Sequence, residues 1–223
     1  MIGFHIHTRQ RCVSAQTIEA FRGIPVANVS DVMARMTAGG ARLRPLHDGT
    51  YMSGAALTVR TRPGDNLLVH KALQMVQAGD VLVVDAGGDL TNAIIGELML
   101  MQARKRGAAG MVINGAVRDS AFIRQHDFPV FAAGVTHRGP YKDGPGEINV
   151  AVSLDGMVIE PGDLVVGDDD GLLCVPYAMT DAVLQAAQAK HATEEKTVAD
   201  IAAGTLEVTW IDARLKALGC GGV

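Results

Sequence analysis

The chain has 223 residues, 48% hydrophobic, 4% aromatic and 20% charged, a globular composition that excludes disorder as its dominant state. Its apolar runs, such as Val81–Val84 and Met111–Ile113, fall far short of the roughly 18 residues that span a bilayer. A net charge of −4 and a few scattered aromatic residues give no basic stacking surface, so neither nucleic acid nor membrane is expected as a partner.

His5, His7, Arg9 and Arg11 interrupt the start where an apolar signal segment would lie, and His5 and His7 read as part of a frayed terminus. Cys12, Cys174 and Cys220 are far apart and form no C-x-x-C. They read as free thiols of a reducing cytoplasm, not as a disulfide framework or a zinc site. Residues 14–20 are helix-compatible, and Val29–Arg35 reads as a short helix capped by Ser30. Met52–Arg60 reads as a strand, Pro63-Gly64-Asp65 as a turn, and Leu67–Val76 as a helix ended by Gly79-Asp80.

Val81–Asp85 is an almost continuous apolar run between Gly79-Asp80 and Gly87-Gly88, as expected of a strand buried on both faces. A Gly-rich loop follows. Glu97–Arg106 then reads as a helix, with Arg104, Lys105 and Arg106 in its last turn and Gly107 after it. Met111–Asn114 reads as a second buried strand running into Gly115-Ala116-Val117-Arg118-Asp119, which completes a parallel βαβ unit. Short β pieces are expected at Pro129–Ala132, Ile148–Val152, Val158–Ile159, Leu164–Val166 and Leu172–Val175, with turns at Asp155-Gly156 and Asp170-Gly171. Thr180–Ala203 reads as a long helix ended by Gly204, and Val208–Leu218 as a further short helix docked on a neighbouring subunit. The expected organisation is one mixed α/β domain over 1–223, with 180–223 forming a C-terminal helical arm.

In a parallel βαβ unit the helix start and the residues after the second strand share the carboxyl edge of the sheet, where open α/β sheets bind ligands. The helix start at Gly96-Glu97-Leu98-Met99 and the pair Arg118-Asp119 are therefore expected to face each other. Free amides near Glu97, Leu98 and Met99 offer donors to a small carboxylate, and Arg118 offers a planar fork. Asp119 and Glu97 are hard oxygen ligands for a Mg²⁺-like cation, so together these residues suit a metal-chelated 2-oxo acid. Two plainer readings stand beside this one: Arg118-Asp119 as a structural ion pair, and Glu97 as a carboxylate solvated at a helix start. Val81–Leu90 lacks the full G-x-G-x-x-G of a dinucleotide loop, and Asp168-Asp169-Asp170 reads as a turn before it reads as a metal site. His70 and His137 have no partners at metal-ligand spacing. A Schiff-base route would need a lysine; Lys71 and Lys142 are conceivable, but neither belongs to the crevice motif.

Gly96-Glu97-Leu98, with Arg118-Asp119 placed 21 positions after Glu97, resembles the spaced Gly and Arg-Asp signature of class II pyruvate aldolases. These are grouped with the regulator of ribonuclease activity A-like proteins. Pro63–Asn66, Gly79–Gly88, Gly115–Asp119, Phe128–Phe131, Pro161–Asp163 and Gly167–Gly171 resemble further blocks of that family, over roughly residues 20 to 218. The resemblance implies an αββα sandwich related to the swivelling phosphohistidine domain, assembled as a homotrimer or hexamer. It implies divalent-metal-dependent cleavage of 4-hydroxy-4-methyl-2-oxoglutarate or 4-carboxy-4-hydroxy-2-oxoadipate to pyruvate, with Mg²⁺ or Mn²⁺ and an oxaloacetate decarboxylase side activity. By position it places the metal on Asp119, substrate on Arg118 and on the amides of Leu98 and Met99, and a water on the metal held by Glu97. It also implies an acidic residue from the adjacent subunit, for which Glu195, or alternatively Glu194, is the candidate; a solvated helix face is the other reading of that pair. The same family contains non-catalytic regulators that bind a ribonuclease or helicase.

Overall fold

A computed structural model describes residues 3–37 and 40–223. Strand β1 (Phe4–Ile6) leads into helices α1 (Ala15–Phe21) and α2 (Val26–Val32), the two-residue strand β2 (Arg44–Pro45) and the long strand β3 (Met52–Thr61). Helix α3 (Leu67–Met75), strands β4 (Asp80–Asp85) and β5 (Ala93–Ile95), helix α4 (Glu97–Lys105) and strand β6 (Gly110–Val117) follow. Helix α5 (Ser120–Arg124) and strand β7 (Val130–Val135) come next. Strands β8 (Gly146–Ile148), β9 (Val152–Leu154), β10 (Met157–Ile159), β11 (Leu164–Asp168) and β12 (Gly171–Val175) precede helices α6 (Thr180–Ala203) and α7 (Trp210–Ala217). Among the described residues no helix is long and apolar enough to cross a membrane.

The centre is a mixed sheet in the order β1-β8-β3-β4-β6-β7-β2. The consecutive pairs β3–β4, β4–β6 and β6–β7 are parallel, and the expected βαβ unit is present, with Val81–Asp85 paired to Gly110–Asn114. β11 and β8 both pair antiparallel with β3, at its start and its end respectively. β9 and β10 form a separate hairpin whose turn is Asp155-Gly156, both at positive φ, the backbone that suits the right-handed twist of the flanking strands.

Alternation along the central strands divides the core in two. Val81, Val83, Val112 and Phe131 point to a layer built from α1, α2, α6 and the β9–β12 hairpins, while Leu82, Val84, Met111 and Ile113 point to α3 and α4. All eight are fully buried, which explains why Val81–Val84 reads as an unbroken apolar run. Each such side chain contributes about 1.5–3 kcal/mol relative to exposure.

Four local expectations are corrected. The second helix is Val26–Val32, entered at Pro25, so Ser30 lies inside it, while Ala34 and Arg35 turn away at positive φ. Ile148–Val152 is not one strand: Asn149 at φ 58 breaks it into β8 and β9. The N-terminus is not frayed at Phe4–Ile6, which pairs in parallel with β8; only Met1 and Ile2 lie outside the description there. The Gly-rich loop after β4 contains strand β5. The Asp168–Asp170 turn reading holds, since Asp168 Oδ1 accepts Asp170 N–H at 3.0 Å and Oδ2 accepts Val26 N–H at 2.8 Å.

Candidate active site

Strand β5 brings the helix start and the Arg-Asp pair together. It takes over the place of β4 beside β6, pairing in parallel through Ala93 with Ala116 and Ile95 with Val117. The chain leaves both strands at the same carboxyl edge, so Gly96-Glu97 and Arg118-Asp119 emerge side by side, and Arg118 N–H donates to Ile95 O at 3.0 Å. Asp119 stands at φ 59, a left-handed conformation in which a short carboxylate is tolerated, and this turns its side chain back toward α4. Its Oδ2 accepts Glu97 N–H at 2.9 Å and lies 3.6 Å from Arg118 Nε.

Gly96 is required by this contact. A Cβ there would collide with Asp119 Oδ2 and stand 2.8 Å from Arg118 Cγ. Gly96→Ala is therefore expected to cost little stability, because both side chains can swing into solvent, but to lower turnover at least ~10-fold by displacing them. Activity and thermal midpoint measured on the same preparation check this.

The helix start offers fewer free donors than expected. Glu97 N–H is occupied by Asp119, and Met99 N–H donates to Gly96 O at 3.1 Å, which corrects its assignment as a free ligand-binding amide. Among the described residues Leu98 N–H has no intramolecular acceptor. Glu97 is half-buried at the helix start, and Arg118 and Asp119 keep 44% and 40% of their side-chain surface exposed, so both are within reach of a ligand.

A cleft of about 170 Å³ opens beside the helix start, lined by Asn66, His70, Gly96, Leu98, Arg118 and Lys142 among others. Arg118 separates it from a shallower depression that holds Asp119 and His137. Two of these residues change the sequence reading. Lys142 does approach the cleft, although no motif announces it. Asn66 is 2% exposed, donates to Ile94 O at 2.9 Å and to Met99 Sδ at 3.4 Å, and leaves Oδ1 unpartnered. The only sequence signal for Asn66 is its place in the Pro63–Asn66 block. Burial first, and then the Lys142 charge, hold the His70 imidazole below its ordinary pKa. Lys71 stays on the exposed side of α3, bonded to Gln74 at 3.3 Å.

Glu194 and Glu195 are not brought to this edge within one chain. Their helix packs in the layer of α1 and α2, across the sheet from α4, with Val183 and Ala187 in that core. Glu194 is engaged by Lys190 at 2.8 Å and by Asn28 Nδ2 at 2.8 Å, and the Lys190 hydrogen bond, followed by that of Asn28, holds its carboxyl below the usual range. Glu195 is 68% exposed, with His191 3.7 Å away.

Among the described residues no three His, Cys, Asp or Glu side chains gather as a metal cage. The donor set at this edge is one exposed carboxylate, Asp119, bonded to the Glu97 backbone; Glu97 itself lines a neighbouring groove with Leu100, Arg104 and Phe122. That set fits Mg²⁺ or Mn²⁺, hard ions that Mg²⁺-type sites hold through one or two carboxylates, water and substrate oxygens.

A profile of the RraA-like family, described as Aldolase/RraA, matches residues 26–174. The chain belongs to this family. A relative from Halalkalibacterium halodurans, carrying the name "Putative 4-hydroxy-4-methyl-2-oxoglutarate aldolase", is 42% identical over 178 residues, which are 80% of this chain and 85% of that one. A solved structure from Pseudomonas syringae pv. tomato superposes with a TM-score of 0.79 at 25% identity, covering 91% of this chain and 98% of that one. The RNA-processing inhibitor RraA from Thermus thermophilis superposes with a TM-score of 0.63 at 33% identity, covering 68% and 92%. Strands β3 to β11 of the mixed sheet lie within the matched residues, and α6 and α7 lie beyond them. The family resemblance read from Gly96-Glu97-Leu98 and Arg118-Asp119 is thus shown, and Gly96, Glu97, Leu98, Arg118 and Asp119 are in one place.

Proposed function

We propose that the chain is a divalent-metal-dependent pyruvate aldolase acting on 4-hydroxy-4-methyl-2-oxoglutarate or 4-carboxy-4-hydroxy-2-oxoadipate, with oxaloacetate decarboxylation as a side activity. The observation that carries this reading is the juxtaposition of Asp119, Arg118, Glu97 and the unpartnered Leu98 N–H at one sheet edge. Asp119, and Glu97 through water, would hold Mg²⁺ or Mn²⁺; such an ion, when bound, supplies Lewis-acid polarisation of the 2-oxo acid. Leu98 N–H donates to the substrate carboxylate, and Arg118 binds the 2-oxo acid end and fixes its plane. Glu97 takes the C4 hydroxyl proton through an intervening water as the C3–C4 bond breaks, and a proton is returned to C3 of the three-carbon product. Glu195 of a neighbouring copy completes the acid–base pair, its exposure leaving it free to do so, whereas Glu194 is already engaged by Lys190 and Asn28.

This reading includes a cytoplasmic homotrimer or hexamer built from αββα sandwiches of the swivelling phosphohistidine type. The exposed apolar residues of the C-terminal arm, among them Val198, Ile201, Trp210 and Leu218, support its packing on a neighbour. The test is pyruvate release from the two 4-hydroxy-2-oxo acids and from oxaloacetate, with Mg²⁺ and with excess chelator. Release that the chelator stops supports the aldolase. The similarity to the Thermus inhibitor supports a second reading, a protein-binding regulator; well-folded protein that releases no pyruvate from any of the three acids would favour it.

A further inference from the structure

Strand β1 and the residue after it carry His5 and His7, two imidazoles that the sheet-edge site does not use and that precede the residues matched by the family profile. Parallel pairing with β8, from Phe4 with Gly146 to Ile6 with Ile148, holds this stretch extended, and His7 N–H continues the ladder to Ile148 O at 3.0 Å. Side chains two positions apart on a strand share a face, so both rings project to the same side. Their centres are 4.3 Å apart and their planes are tilted by 57°. Small side-chain rotations then bring one nitrogen of each ring within the ~2.0–2.1 Å bond length of a shared ion.

The neighbouring strands add a carboxylate to that face. Register sets Glu147 beside His5, and Arg60 of β3 beside Glu147. Glu147 Oε1 lies 3.7 Å from His7 Nε2, while its Oε2 accepts from Arg60 Nη2. The Glu147 side chain is only 13% exposed and is fixed by Arg60, whereas His7 keeps 44% of its side-chain surface open to solvent. With Nε2 facing Glu147, Nδ1 of His7 is left for a ligand. A metal-binding histidine is commonly oriented in this way, by a carboxylate at its other ring nitrogen. Arg9, the next cation along the chain, is committed to Asp80 at 2.6 Å and Gln77 at 2.9 Å. Since no three His, Cys, Asp or Glu side chains gather among the described residues, the pair offers two nitrogens and leaves the other positions to water.

We propose that His5 and His7 form a second metal site, a two-imidazole chelate for a borderline divalent ion such as Zn²⁺, with Glu147 as the positioning residue of His7. Imidazole suits Zn²⁺, whereas the Asp119 carboxylate suits Mg²⁺ or Mn²⁺, so the two sites draw different classes of ion. An ion bound here fastens β1, an edge strand that pairs with β8 alone among the described residues. The inference is independent of the aldolase reading.

The test is calorimetric titration of the chain, free of any affinity tag, with Zn²⁺ in excess Mg²⁺. His5→Gln and His7→Gln should each weaken Zn²⁺ by ~10-fold or more, while Asp119→Asn leaves it unchanged. Both histidines are exposed, so these variants fold. Glu147→Ala should cost ~10-fold in affinity, and Glu147→Gln, whose amide oxygen still accepts, should recover part of it. A merely structural Glu147 would instead lower the thermal midpoint of the metal-free chain and leave the Zn²⁺ affinity as it is. Hydrogen exchange at His7 N–H should slow when Zn²⁺ is added to the wild type and not when it is added to His5→Gln. Unchanged affinity in both histidine variants overturns the proposal and moves the ion to the exposed thiols of Cys12 or Cys220. Zn²⁺ bound through the histidines with no slowing at His7 N–H overturns the fastening of β1.

Discussion

Arg118→Ala is expected to lower kcat/KM for pyruvate release by ~10²–10³-fold or more, the usual effect of deleting a donor that meets developing charge in a water-poor site. The fold should be untouched. The guanidinium is 44% exposed, and its one ionic contact among the described residues is with Asp119 at 3.6 Å, so its loss leaves no buried partner unsatisfied. The thermal midpoint should stay within a few degrees of wild type. Arg118→Lys should recover only part of the rate, since an ammonium restores the charge and not the planar fork. A variant that loses activity and its midpoint together would argue that Arg118 is structural, and full activity in Arg118→Ala would remove it from the site.

Asp119→Asn is expected to abolish metal-dependent turnover by a similar factor while preserving the local backbone. The position has φ 59, which asparagine adopts with little strain, and an amide oxygen still accepts Glu97 N–H where Oδ2 does now. What the substitution removes is the negative charge. Mn²⁺ affinity followed by electron paramagnetic resonance should therefore fall with the activity, and unchanged Mn²⁺ affinity would move the metal off Asp119. Asp119→Ala is the less informative variant, because it adds ~1–2 kcal/mol of left-handed strain to the loss of charge.

The parts of the site that were legible in the sequence are those carried by residue type at a fixed spacing. Glu97 at the start of an apolar helix, and Arg118-Asp119 after a buried strand, announce themselves because charge is costly in such surroundings unless it is used or solvated. Strand β5 did not announce itself. Ala93–Ile95 is a three-residue piece behind a Gly-rich stretch, too short for periodicity to detect, and its pairing with Ala116 and Val117 exists only in three dimensions. Yet it is β5 that delivers Gly96 to Asp119. Lys142 and Asn66 were illegible for a related reason, since they lie 76 positions apart and meet through a clamp centred on the buried carboxylate of Asp65. The donor count at the helix start was also beyond the sequence, because capping by Asp119 and the Met99–Gly96 bond depend on φ at Asp119 and on the first helical turn.

By itself the sequence determined the class of the fold, the parallel βαβ unit, the two-faced burial of β4, the long C-terminal helix and the family, because periodicity, turn residues and the Gly96 to Asp119 motif are local or nearly so. Only the tertiary structure decided how many helix-start amides stay free, which residues beyond the motif line the cleft, and which side of the sheet Glu194 and Glu195 occupy. Those depend on strand pairing and on buried carboxylates such as Asp65 and Asp119, whose partners are chosen by the packing of distant segments.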